Sequence, residues 1–264
     1  MIYSQSEMNQ INQVAQLLWD SNANKSTVAP VRAIITATDI EAAYAVQKIN
    51  VQKRIENGER VVGKKIGLTS FAVQEQLGVD QPDYGILFES MQIENGGNLS
   101  FTDLMQPKAE AEIAFMIGKD LDGDIDITDL IDAIEYVSAS IEIVGSRVEN
   151  WDIRITDTIA DNASASHFVL GENKVHIDEL DLPNCTMSMT KNGEIASEGI
   201  GSACMDNPLN AALWLARGMA KNGTPLKAGE RLLSGALGPM VPIQKGDHFE
   251  ASIQGLGSVN IQIT

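Results

Sequence analysis

Cationic side chains are scarce in this sequence: 19 lysines and arginines face 36 aspartates and glutamates, for a formal charge of −17. That deficit excludes an electrostatic grip on nucleic-acid backbones or anionic membranes, since either partner needs a surface of net positive potential. Cysteine is also rare. Cys185 and Cys204 show neither redox nor metal-ligand spacing, which fits a reduced, cytoplasmic setting with both thiols as small buried hydrophobes. The three histidines, His167, His176 and His248, form no helical or strand pair, so a histidine metal centre is not expected. No stretch approaches the roughly 20 consecutive apolar residues of a membrane span. The opening segment from Met1 to Asn12 has no basic start followed by an apolar run, and no secretory leader is expected.

What is present is an ordinary globular composition, 44% hydrophobic and 21% charged over 264 residues, long enough to bury a large core. The first sixty residues read as helical. Ile11, Val14, Leu17 and Leu18 recur at helical spacing, and Thr38-Asp39-Ile40-Glu41 predicts a capping box before a second amphipathic helix that stops near Asn57-Gly58. From Val61 the texture changes to short apolar runs, such as Ile113 to Ile117, Ile141 to Val144 and His167 to Leu170, broken by Gly, Asp and Pro. Asn192-Gly193 after Met187-Ser188-Met189-Thr190 predicts a hairpin, because this dipeptide supplies the positive φ angles of a tight turn. Asn207-Pro208, an apolar stripe from Leu213 to Met219, and Asn222-Gly223 mark one capped helix. Phe249, Ala251 and Ile253 alternate as in a half-buried strand. The expected fold is mixed α/β (α+β): a small helical N-terminal region, residues 1–60, and a β-rich catalytic domain, residues 61–264.

The segment that carries chemistry is Pro107-Lys108-Ala109-Glu110-Ala111-Glu112-Ile113-Ala114-Phe115. As a strand it puts Glu110 and Glu112 on one face. Two neighbouring carboxylates repel unless a cation or a proton lies between them, and hard oxygen ligands suit Mg²⁺ or Mn²⁺. The spacing alone favours a solvated strand face in a protein this acidic. Glu142 raises the case for a metal, because it interrupts the apolar run Ile141-Glu142-Ile143-Val144, where a charge is paired or metal-bound if buried. A salt bridge from Glu142 to Arg147 or another base is the alternative.

Several longer motifs follow one another in fixed order. They are Gly63-Lys64-Lys65-Ile66-Gly67-Leu68-Thr69, Gln81-Pro82-Asp83-Tyr84-Gly85, the Glu110/Glu112 strand, Ile141-Glu142-Ile143-Val144, and Asp157-Thr158 through Asp161-Asn162 to Ser164. Ser234-Gly235-Ala236-Leu237-Gly238-Pro239 and Gly255-Leu256-Gly257-Ser258 complete the set. From about Tyr44 onward this order resembles the fumarylacetoacetate hydrolase superfamily, and within it the 2-keto-4-pentenoate hydratase branch of aromatic meta-cleavage pathways. The resemblance implies a divalent metal, Mg²⁺ or Mn²⁺, held by Glu110, Glu112 and Glu142. It implies acid–base work at Lys65 and Asp83, pocket contacts from Leu87 and Ser164, and Ser234 near the substrate carboxylate. It also implies a homo-oligomer, a pentamer or decamer, with a possible association with neighbouring pathway enzymes.

The implied reaction adds water to a 2-hydroxypenta-2,4-dienoate, whose carboxylate and adjacent enol oxygen chelate one cation. Read without the resemblance, Lys65 is a surface lysine and Asp83 a turn residue after Pro82. Three rivals share much of the pattern. A 2-oxo-3-hexenedioate decarboxylase needs an extra basic group for its second carboxylate. An acylpyruvate-type hydrolase is disfavoured because no histidine precedes the Glu110/Glu112 strand to activate water. A non-catalytic partner subunit would bind metal without turnover.

Overall fold

The computed structural model describes residues 3–71, 74–75, 79 and 81–264. Three helices open the chain: α1 (Gln5–Asn24), α2 (Arg32–Ile35) and α3 (Ile40–Glu56). Helix α1 starts on a capping box, Ser4 accepting from the Glu7 amide while Glu7 accepts from the Ser4 amide. Helix α3 begins one residue later than the sequence suggested. Asp39, not Thr38, is the cap, its carboxylate accepting from the Ala42 amide at 2.9 Å, because Asp reaches the exposed N–H as well as a hydroxyl does.

Two mixed sheets follow. The larger has β1 (Val61–Gly67), β2 (Asp83–Phe88), β3 (Gln92–Ile93), β5 (Lys108–Ile117), β6 (Ile134–Val144), β7 (Ala165–Leu170) and β10 (Arg231–Ala236) in the order β2-β1-β10-β5-β6-β7-β3, with β11 (Val241–Pro242) also on β5. The smaller runs β4-β13-β12-β8-β9, from β4 (Asn98–Leu99), β8 (Thr186–Lys191), β9 (Glu194–Ile200), β12 (His248–Ile253) and β13 (Gly257–Ile263). The remaining helices are α4 (Ile127–Ala133), α5 (Ile155–Ala160) and α6 (Pro208–Lys221). This is the α+β architecture expected from the sequence. No helix among the described residues is long and apolar enough to cross a membrane.

Strand periodicity decides which side chains meet. On β5, Ala109, Ala111, Ile113, Phe115 and Ile117 enter the main core between the sheets, together with Ile141 and Ile143 of β6 and Phe249, Ala251 and Ile253 of β12. The opposite face of β5 therefore carries Lys108, Glu110 and Glu112. The larger sheet curls enough for Leu87 and Phe88 of β2 to share a small apolar cluster with Ala165 and Phe168 of β7, strands remote in the sheet order. Helices α1 and α3 pack on Ile155, Ile159 and Ala160 of α5 in a separate cluster. Arg32 fixes that docking through the fully buried Asp157, at 2.6 Å, and through Asp152, at 2.7 Å. The Asn192-Gly193 turn has φ of 57° and 85°, as a tight hairpin requires.

Among the described residues, no strand lies beside the outer edge of β2. Asn162 takes that place: its side-chain amide accepts from the Ile86 N–H at 2.8 Å and donates to the Ile86 carbonyl at 2.9 Å, as a partner strand would. Asn162→Ala should lower stability by about 1–3 kcal/mol in a urea titration, the cost of two unmet backbone groups. An unchanged midpoint would show that water replaces the amide at this edge.

Candidate active site

The antiparallel register of β5 and β6 sets Glu110 opposite Glu142, and Glu112 stands two residues on along the same face. Ligand oxygens of the three carboxylates lie within 4.8 Å of one another. Glu112 and Glu142 are fully buried, and Glu110 is half-buried at the mouth of a cavity of about 280 Å³. The Gly235 amide donates to Glu112 Oε2 at 3.0 Å; among the described residues Glu112 Oε1 and Glu142 Oε1 have no partner, and Glu142 Oε2 has only the Lys65 ammonium beside it. Burial, reinforced by the charge of Glu142, pushes the Glu110 carboxyl up to about 7 and drives Glu112 well above the usual range. Burial also raises Glu142, against the pull of Lys65. Unpartnered carboxylate oxygens crowded in a dry pocket fit a small hard cation, which would satisfy all of them at once.

Lys65 reaches this cluster because β1 alternates. Lys64 points to the other face and pairs with Glu230 at 2.6 Å, while Lys65 Nζ lies 3.3 Å from Glu142 Oε2 and donates to the Ala163 carbonyl at 3.0 Å. Burial works to lower its pKa, but attraction from Glu142, Asp83, Glu110 and Glu112 outweighs it, and the ammonium stays charged. Asp83, at the start of β2 opposite Gly67, is buried, and among the described residues neither carboxylate oxygen has a hydrogen-bond partner. Burial raises its pKa despite the nearby Lys65. Gly67 is glycine for steric reasons, since a Cβ there would fall 2.2 Å from Asp83 Oδ1.

A third element closes the cavity. Asn162, Ala163 and Ser164 have φ of 55°, 51° and 56°, one turn in the left-handed region that costs each non-glycine residue about 1–2 kcal/mol. The Asn162 clip on β2 and a buried ion pair between Arg147 and Asp161 hold it. Arg147 is therefore engaged by Asp161, and the partner of Glu142 is Lys65. The turn aims the Ala163 carbonyl at Lys65 and leaves the buried Ser164 hydroxyl in the cavity wall without a partner.

Lys65, Asp83, Glu110 and Ser164 thus line one cavity, with Glu112 and Glu142 beneath it. Leu87 and Ser234 do not line it. Leu87 is packed with Val62 and Phe168 in the apolar cluster. The Ser234 hydroxyl accepts from the Ile113 amide at 3.2 Å and donates to the Gly235 carbonyl at 3.0 Å, so it supports the strand that holds Glu112. Lys108 and Trp151, which the sequence did not single out as site residues, do line the cavity. For Lys108 the signal was available: it shares the period of Glu110 and Glu112. A larger cleft of about 490 Å³ lies between α1, α3 and the sheet, but Arg54 and Arg147 in its wall are matched by Glu59 and Asp161. The crowded, under-satisfied carboxylates make the smaller cavity the candidate site.

Residues 24–264 match the family described as fumarylacetoacetate (FAA) hydrolase C-terminal. The chain belongs to the fumarylacetoacetate hydrolase family. It is 54% identical to the TodF product hydratase of Pseudomonas putida, over 94% of this chain and 93% of that one. It is 50% identical to a 2-keto-4-pentenoate hydratase of Burkholderia vietnamiensis, over 98% and 99%. Among solved structures it resembles a 4-oxalocrotonate decarboxylase of Pseudomonas putida, complexed with magnesium and adipate, at 33% identity and a TM-score of 0.92 over 97% of this chain and 98% of that one.

Two outcomes follow from the geometry. A buried carboxyl with a raised pKa holds its proton more tightly folded than unfolded, so its stabilising contribution is complete below the ordinary 4.5 and is lost as pH rises through about 7 for Glu110. Chelator-treated protein should therefore melt at lower temperature at about pH 8 than at about pH 5, with Mg²⁺ removing most of the difference. A flat profile would remove the charge cluster from the stability balance. Gly67→Ala should fold, retain metal and lose activity, because the new methyl displaces only the Asp83 carboxylate; normal turnover would refute that placement.

Proposed function

We propose that this chain is a divalent-metal-dependent hydro-lyase that converts 2-hydroxypenta-2,4-dienoate, the enol of 2-oxopent-4-enoate, into 4-hydroxy-2-oxopentanoate. The observation that carries the reading is the convergence in one cavity of three crowded, under-satisfied carboxylates, a charged lysine and a carboxyl of raised pKa. The hydratase relatives at 54% and 50% identity support this reaction over decarboxylation, whose structural relative is 33% identical.

Glu110, Glu112 and Glu142 would hold Mg²⁺ or Mn²⁺. When bound, the ion supplies Lewis acidity, stabilising negative charge on the C2 oxygen of the substrate. Lys65 adds a fixed positive charge beside the same cluster, where negative charge develops as the enol loses its proton. Asp83 is the proton carrier: burial raises its pKa and favours the protonated carboxyl, which can give up a proton to the substrate and take one back. The enol O–H bond breaks and a C5–H bond forms, giving a conjugated 2-oxo-3-enoate; water then adds its hydroxyl at C4 and its proton at C3. Ser164 Oγ offers a hydrogen bond to a substrate oxygen. Within this reading residues 61–264 are the catalytic domain, residues 1–60 a helical region docked on it, and the working assembly a homo-oligomer, pentamer or decamer.

The test follows the ultraviolet loss of freshly made 2-hydroxypenta-2,4-dienoate. Chelator treatment should abolish turnover, and Mg²⁺ or Mn²⁺ should restore it; full activity in metal-free protein would sink the proposal. Asp83→Asn should keep metal and substrate binding while the chemical rate falls ~10²-fold or more, as for a lost general acid–base. Normal turnover in that variant would remove Asp83 from the mechanism.

A further inference from the structure

The cavity is rich in negative charge, with Asp83 and Glu110 in its wall and Glu112 and Glu142 beneath, yet the proposed substrate is itself an anion. Lys65 is already committed to Glu142 and to the Ala163 carbonyl. The carboxylates of Glu110, Glu112 and Glu142, set against one divalent ion and Lys65, sum to no net charge. A substrate carboxylate therefore needs one more cation. Lys108 is the other lysine in the cavity wall. It lies on the same face of β5 as Glu110, about 7 Å along the strand on the side away from Glu112. Among the described residues its ammonium forms no ion pair and no hydrogen bond, and it rests 4.2 Å from the centroid of the Trp151 ring. Such a seat orients an ammonium without neutralising it.

The seat is itself built. Trp151 Nε1–H donates to the Gln106 carbonyl at 2.9 Å, and the Gln106 side-chain amide donates to the Ser146 and Val148 carbonyls at 2.9 and 2.7 Å. Gln106, Asn150 and Trp151 all have left-handed backbones, with φ of 47°, 57° and 54°. Strain retained at three positions that converge on one ring is characteristic of a working site. Asp83 pairs with Gly67 of β1 and so enters the cavity level with the Glu112 end of the cluster, whereas Lys108 lies on β5 beyond Glu110, at the opposite end. A dienoate whose C4 and C5 reach Asp83 turns its C1 end toward Lys108.

We infer that Lys108, seated on Trp151, is the cation that binds the C1 carboxylate of the substrate, a reading that rests on the dienoate assignment above. Oxalate is the probe, because it has a chelating end and nothing beyond it. Calorimetric titration of oxalate into Mg²⁺-saturated protein should show affinity about 10-fold or more weaker in Lys108→Met and Lys108→Gln, with Lys108→Arg retaining most of it. Mg²⁺ affinity should hold or tighten in the neutral variants, since a neighbouring cation has gone, so weaker oxalate binding is not lost metal. On the dienoate, KM should rise by a similar factor with kcat within about threefold. Unchanged oxalate affinity in both neutral variants overturns the inference. So does a loss seen with adipate but not oxalate, which would put Lys108 at the far end of a longer diacid. If the wild-type protein ignores the dienoate while oxalate binding still depends on Lys108, the hydratase reading falls and the carboxylate assignment stands.

Discussion

The structure is organised around three carboxylates that cannot all be charged, dry and alone. Glu110 and Glu142 face each other across a ladder and Glu112 follows on the same face, in the middle of a sheet whose other face is the main hydrophobic core. Mutual repulsion and lost hydration both disfavour this arrangement, and the polar contacts supplied nearby, Lys65 at Glu142 and the Gly235 amide at Glu112, answer only part of it. The remainder has to come from protons or from a cation. Function and stability are therefore coupled at this point, because the group that would relieve the repulsion is the one the proposed chemistry uses.

Much of the surrounding architecture exists to hold backbone where ordinary secondary structure would not. The left-handed turn through Asn162, Ala163 and Ser164 is unfavourable in isolation, yet it is over-determined by the Asn162 clip on Ile86 and by the Arg147–Asp161 pair. Its yield is two polar groups, the Ala163 carbonyl and the Ser164 hydroxyl, at positions a strand or helix would not offer. The N-terminal helices take part at a distance. Arg32 grips Asp157 and Asp152, on either side of Arg154, and so ties α2 to the segment between Trp151 and the left-handed turn.

Period-two alternation is a local property, and the features that depend on it were legible in the sequence. Glu110 with Glu112, the half-buried strand through Phe249, Ala251 and Ile253, and the Asn192-Gly193 hairpin all required only neighbouring residues. Placing Glu142 beside them took the resemblance, because cross-strand register is a long-range outcome. Side-chain direction is not legible in the sequence where it depends on a partner. Leu87 and Ser234 stand near site residues in the chain, but one turns into the apolar cluster and the other spends its hydroxyl on backbone. The Asp39 cap was misread by one residue because Thr38 and Asp39 are both competent. The left-handed turn had no legible signature, since neither Ala163 nor Ser164 favours positive φ and only tertiary contacts impose it.

The site also divides its labour by element. Lys65, Asp83, Glu110, Glu112 and Glu142 all project from β1, β2, β5 and β6, where ladder hydrogen bonds fix their positions. The outer wall is different: Trp151 ends a short 3-10 turn, Ile153 and Met240 lie outside strands and helices, and Met240 is 41% exposed. Groups on a sheet keep a fixed geometry for charge and proton transfer, while groups on connecting segments change shape at little cost to the core. Lys108 belongs to both layers, with its backbone in β5 and its ammonium resting on a ring of the outer wall.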